Sequence, residues 1–149
     1  MRIKYLKTNI MSVNFKQKPP VWFWIVAVIG LLWNVMGVNH YLQQAYNTER
    51  FRNMYSQEQL DIVASAPSWV TATFAIAVFT GFFGFVFILL RKKLGYALLL
   101  ISLLGVIIQM SHILISGHAS SIGMTIMILV FAVISVLIAR LFKTKGWIK

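Results

Sequence analysis

Four long apolar runs dominate the chain, at 21–38, 69–90, 95–116 and 121–142. The first three contain no Asp, Glu, Lys or Arg, and the fourth meets its first charge only at Arg140. Crossing about 30 Å of hydrocarbon as a helix takes roughly 17–25 residues, and every run falls in that range. A soluble domain with 59% apolar residues divides them among shorter, periodic segments. The expected fold class is therefore all-α, an integral membrane bundle of four antiparallel transmembrane helices. The links at 91–94 and 117–120 are too tight for any crossover, so spans two, three and four are sequential antiparallel neighbours. The expected organisation is a basic N-terminal segment (1–20), a single transmembrane domain (21–142) with an external loop at 39–68, and a basic tail (143–149). No small-residue cleavage pattern follows the first run, so it is expected to stay in place as a span, and Met11 offers a second start.

The charges give the bundle a direction. All three acids, Glu49, Glu58 and Asp61, lie in the 39–68 loop. Of the 14 Lys and Arg, only Arg50 and Arg52 lie there. The others precede the first run, fill the 91–94 link, or close or follow the fourth run. Basic residues accumulate on the cytoplasmic side of membrane proteins, which places both termini and the 91–94 link in the cytoplasm. Trp22, Trp24, Tyr96 and Trp147 are expected as aromatic anchors at the inner boundary, and Tyr41 and Trp69 at the outer one. The net charge of +11 sits at the ends of apolar runs and forms no basic face. That excludes a nucleic-acid partner and favours anionic membrane lipids.

In the loop, the first span is expected to continue as helix into 39–46. Ser56 with Gln59 forms a capping-box pattern for a second, short helix that puts Leu60 and Val63 on one face. Pro67 suits the start of span two. This region reads either as a cap lying on the membrane surface or as a lid or partner-docking surface.

Without cysteine, disulfides and thiol catalysis are excluded. Nothing resembles a phosphate loop, a metalloprotease helix or a nucleophile elbow, so no enzyme is expected. The runs carry no acid or amine before Arg140, which argues against proton- or cation-coupled transport. Candidate site residues are the polar and aromatic groups of the outer half: Trp33, Asn34, Tyr41, Thr73, Gln109, His112 and Thr125. Counted from the starts of their spans, Asn34 and Gln109 rise to nearly equal depth. An amide in hydrocarbon needs a partner. The two either bridge spans one and three or line a small polar pocket that opens outward, with Trp33 or Tyr41 at its wall. His40 and His112 offer imidazoles from two spans for a haem or metal, but no ligand motif surrounds them, and no cofactor or metal is expected. The faces Ala77/Gly81/Gly84 and Ala132/Ser135/Ala139 allow close helix approach, inside the bundle or across a homodimer.

The pattern Trp33-Asn34-Val35-Met36-Gly37, then Pro67-Ser68-Trp69-Val70-Thr71, then Arg91-Lys92-Lys93, resembles a group of small four-span bacterial inner-membrane proteins labelled "sugar transporter", distantly DoxX-like. The resemblance covers 21–142, with Trp33, Asn34, Gly37, Pro67, Trp69 and Gln109 at its recurring positions. It implies a multi-pass location in the bacterial inner membrane and the handling of a small solute. Two functions follow from the residues. The first is a non-enzymatic subunit, scaffold or accessory factor with a membrane protein partner, since four helices are expected to leave little internal volume. The second is transport or binding of a small neutral solute or lipid in the outward polar pocket, with a small-residue face as a dimer seam.

Overall fold

The structure, a computed structural model, describes residues 18–116 and 122–149. The segment before Lys18, the 117–120 link and His118 lie outside the described residues. The elements in chain order are α1 (Val21–Ala45), α2 (Glu49–Met54), α3 (Gln57–Ser65), α4 (Ser68–Leu89), α5 (Leu94–Ile115) and α6 (Ile122–Thr144). There is no strand among the described residues. Four of the helices, α1, α4, α5 and α6, are long and apolar enough to cross a membrane. Helix is the form in which an isolated apolar segment satisfies its own backbone polar groups, which hydrocarbon cannot do for it.

Packing follows side-chain size in a way a water-soluble core does not. Small residues lie inside: Ala27, Ala77, Gly81, Gly84, Gly95, Ser102, Gly105, Ser135 and Ala139 are all buried. Many large aliphatics lie outside, with Leu104 61% and Leu137 57% exposed, while Ile88 and Leu99 join Phe23, Phe85 and Phe142 in the core. Such a surface suits lipid, and such an interior suits helices that associate by close approach.

Helices α4 and α5 are the most closely packed pair. A Cβ added to Gly95 would stand 2.6 Å from the Gly84 carbonyl oxygen, and one added to Gly84 would stand 2.8 Å from Leu99 Cγ. No side chain fits at either place. The Ser102 hydroxyl ties the pair together by donating to the Ala77 carbonyl at 2.7 Å. Helix α1 packs on α4, where Gly30 receives the Phe85 ring and Gly81 receives the Asn34 amide. Helix α6 packs on α5. The face Ala77/Gly81/Gly84 is thus consumed within the bundle. Ser135 and Ala139 are also buried, and Ala132 faces an internal cavity. The first face is therefore not free to form a dimer seam, and the second turns inward, toward the cavity and the core.

The fourth seam, between α1 and α6, is built differently. These helices hardly approach each other main chain to main chain. Rings bridge them: Trp33 stacks on Phe131 with centroids 4.6 Å apart, and Phe23 meets Phe142 at 4.5 Å.

The two ends of the bundle differ. At one end, the residues after α6 turn back under the helices. Trp147 and Ile148 are buried, and Trp147 packs against Trp22, Phe23 and Phe142. The Lys149 N–H donates to the Arg91 carbonyl at 2.7 Å, and the Lys93 N–H donates to the Lys149 carbonyl at 2.8 Å. The Arg91 Nε also donates to the Trp147 carbonyl at 2.9 Å. The tail is therefore a plug pinned to the α4–α5 link. This corrects the expectation for Trp147, which is core and not a boundary anchor; Trp22 and Trp24 do keep substantial exposure.

At the other end, α1 continues to Ala45, and α2 and α3 form a cap. Ser56 and Gln59 make the full capping box at the start of α3. The sequence reading missed α2; its start is capped by Thr48, whose hydroxyl accepts from the Phe51 N–H at 3.2 Å. Phe51 is buried beneath it, against His40.

Candidate functional site

Small inner side chains and a ring-bridged seam leave space inside the bundle. A cavity of about 690 Å³ lies between all four long helices, roofed by Arg50, Met54 and Tyr55 of the cap. That volume corrects the expectation of a filled bundle. The α4–α5 glycines keep two helices in tight contact, while the Trp33 and Phe131 rings hold α1 and α6 apart.

The wall is mostly apolar. Its most distinctive component is methionine: Met36, Met54, Met110, Met124 and Met127 all line it, and these are all the methionines among the described residues. Unbranched thioethers adapt their shape to whatever they contact. Met36, Met124 and Met127 are also exposed. They belong to α1 and α6, the helices of the loosely closed seam, and Met54 at the capped end is exposed as well.

The polar groups of the wall differ in how fully they are engaged. Ser102 is committed to the Ala77 carbonyl, and Ser135 to the Phe131 carbonyl at 2.8 Å. The Asn34 amide donates to the Gly30 carbonyl of its own helix at 2.8 Å. His40 Nε2 and the Tyr55 hydroxyl lie 3.3 Å apart at the capped end. Burial pushes the Tyr55 phenol above its ordinary value, so it keeps the proton it can donate to that imidazole. By contrast, Gln43 Oε1 is buried with no partner. Arg50 is the only Asp, Glu, Lys or Arg on the wall, and no ion pair holds it among the described residues.

Of the seven candidate residues, Trp33, Asn34 and Gln109 line the cavity. The other four do not. Tyr41 packs edge-on against Phe74 and Phe79 on the side of α4. The Thr73 hydroxyl donates to the Trp69 carbonyl of its own helix. His112 meets Trp69 edge to face and lies 3.5 Å from the Ser116 hydroxyl. Thr125 is buried away from the wall. His40 reaches the cavity and His112 does not, so the two imidazoles are not brought to one place. Asn34 and Gln109 do not bridge their helices either. Asn34 fits against Gly81 beside Ser102. Gln109 is seven residues further along α5, about 10 Å nearer the capped end. Equal depth would require the spans to start level, but α1 starts lower, down among the plug residues.

Sequence reasoning singled out neither the methionines nor Gln43 and Arg50. The methionines did carry a signal, since no described methionine lies elsewhere. The roof carried none, because its position depends on how α2 folds back.

The chain has the fold of a multi-pass, all-helical membrane protein with an internal cavity between its spans. No family model, curated protein or solved structure matches it.

Proposed function

We propose that this protein is a non-enzymatic membrane protein that binds a lipid-like amphiphile in its interhelical cavity. The observation that carries this reading is the cavity itself, with its methionine wall, beside the loosely closed α1–α6 seam. About 690 Å³ lies within the range of small-molecule sites, which are largely apolar with a few placed polar groups. The subunit or scaffold role rested partly on a lack of internal volume, and that support is gone. A partner or second copy would have to use the leucine and isoleucine exterior. The positive-inside pattern supports a cytoplasmic placement of both termini and of the plug, with the cap outside. The resemblance to the four-span bacterial proteins supports the inner membrane and the handling of a small ligand.

The test is thermal unfolding of the purified protein in mild detergent against a panel of single-chain amphiphiles. A ligand at one hundred times its Kd stabilises by about 2.7 kcal/mol, which shifts the melt by several degrees. Ala132→Phe puts a ring into the cavity without removing a hydrogen bond. The expected result is a ligand-induced shift in the wild type that Ala132→Phe abolishes while its own melting temperature holds or rises. A wild type that responds to no amphiphile overturns the proposal.

A further inference from the structure

Gln109 lines the cavity from within α5, yet its amide makes no hydrogen bond to any described residue. An unpaired amide on a membrane-spanning helix costs free energy until a partner is supplied. Unlike Gln43 Oε1, which the protein closes off completely, the half-buried Gln109 amide stays open to small molecules. Its height in the cavity follows from helix packing. Gly105 lies against Ala77, with an added Cβ only 3.0 Å from the Ala77 Cβ. One turn further along each of these antiparallel helices, Gln109 comes level with Thr73 and Phe74. The His40 ring is 6.1 Å from that of Phe74, so α1 brings the His40–Tyr55 pair to the same level. A hydroxyl that donates to an imidazole keeps lone pairs with which to accept. The wall at this level therefore offers amide N–H donors and an amide acceptor from α5, and a hydroxyl acceptor from the cap.

The amide and the hydroxyl are neutral. Arg50, the only Asp, Glu, Lys or Arg on the wall among the described residues, is exposed at the roof, where water satisfies it. An ionic head group at the Phe74 level thus finds no buried counter-ion. Burying an unpaired ion costs far more than burying a hydroxyl that finds a hydrogen bond. Nearer the plug, the polar side chains are already engaged: Ser102 and Ser135 with main-chain carbonyls, and Asn34 with Gly30 while pressed against Gly81. Extending the binding proposal above, on which it rests, we infer that the ligand is an uncharged amphiphile whose hydroxyl-bearing head group pairs with the Gln109 amide under the cap. Its chain points toward the plug, past Trp33 and Phe131. A monoacylglycerol has this chemistry; a fatty acid anion or a phospholipid does not.

Dissociation constants from native mass spectrometry with three probes that share one oleoyl chain test this. Monoolein is uncharged and carries hydroxyls, oleate is an anion, and oleoyl lysophosphatidylcholine is zwitterionic. Monoolein is expected to bind most tightly. Gln109→Leu weakens monoolein about tenfold, the scale of one or two hydrogen bonds, and leaves the other two unchanged. Leucine also removes the unpaired amide, so the melting temperature of the ligand-free variant holds or rises; a lowered one would mean that Gln109 supports the bundle and not a ligand. Asn34→Ala leaves the preference for monoolein intact. If oleate or lysophosphatidylcholine binds as tightly as monoolein, if Gln109→Leu changes nothing, or if Asn34→Ala and not Gln109→Leu removes the preference, the head-group assignment is overturned and the cavity remains a binding site. If none of the three binds to the wild type, the underlying binding proposal falls as well.

Discussion

Glycine at 84 and 95 is an absence the structure requires. At both positions the nearest atoms to an added Cβ include the backbone of the facing helix, which cannot rotate out of the way as a flexible side chain can. Gly95→Val therefore has to part α4 from α5, and overpacking of this kind costs typically 1–3 kcal/mol or more. Ser102→Ala is the milder comparison. It removes the α5-to-α4 hydrogen bond, but the Ala77 carbonyl lies within α4 and the hydroxyl leaves with its need for a partner. Bonds of this type between membrane helices contribute about 0.6 kcal/mol, with a maximum near 1.7. Melting temperatures in one detergent should rank wild type above Ser102→Ala, and Ser102→Ala well above Gly95→Val. A Gly95→Val protein as stable as Ser102→Ala would mean that the two helices are less closely set than described.

At the scale of elements, the residues after α6 act as a fifth wall. Trp147 meets three other rings, and its neighbour Ile148 is fully buried, although neither belongs to a helix. Trp147→Ala is expected to cost about 3–5 kcal/mol, the usual effect of removing a large buried aromatic, read as a lowered unfolding midpoint. An unchanged midpoint would show that the tail only rests on the bundle. The contrast with the spans explains what was legible in advance. Span positions, the capping box at Ser56 and the adjacency of α4, α5 and α6 are written in local patterns of run length, hydrogen-bonding side chains and tight links. The tail carries no such pattern, and four basic residues near the end of the chain read as solvated. Its burial is decided by pairing with Arg91 and Lys93, more than fifty residues away in sequence. The candidate site divides on the same principle. Trp33, Asn34 and Gln109 could be chosen because polar or ring groups in an apolar run face inward. Tyr41, Thr73 and His112 lie off the cavity wall, each with a partner on its own helix or a neighbouring ring, and a sequence does not show which partner is nearer. Thr125 is likewise inward but not on the wall. The relative heights of Asn34 and Gln109 depended on the axial offset of α1, which only the packing of the plug reveals.

For the whole molecule, charge asymmetry should set the orientation. The cap end has two basic and three acidic residues between α1 and α4, whereas the α4–α5 link and the tail are purely basic. Such a bias determines which loops stay in the cytoplasm. Reporter fusions at Ser56 and Lys149 are expected on opposite sides of the membrane, with one at Lys92 on the side of Lys149. Matching signals from Ser56 and Lys149 would contradict the four-span order.

The four seams of the bundle do not share mechanical load equally. Three are closed by helices in contact along their lengths, one of them with glycine against glycine, and these resist separation steeply. The seam bridged by Trp33 and Phe131 is held by short-range contact between flat rings, which can slide over one another at little cost. Any swelling of the interior would be taken up first there, because the other end of the same seam is closed by the buried Phe23 and Phe142 rings.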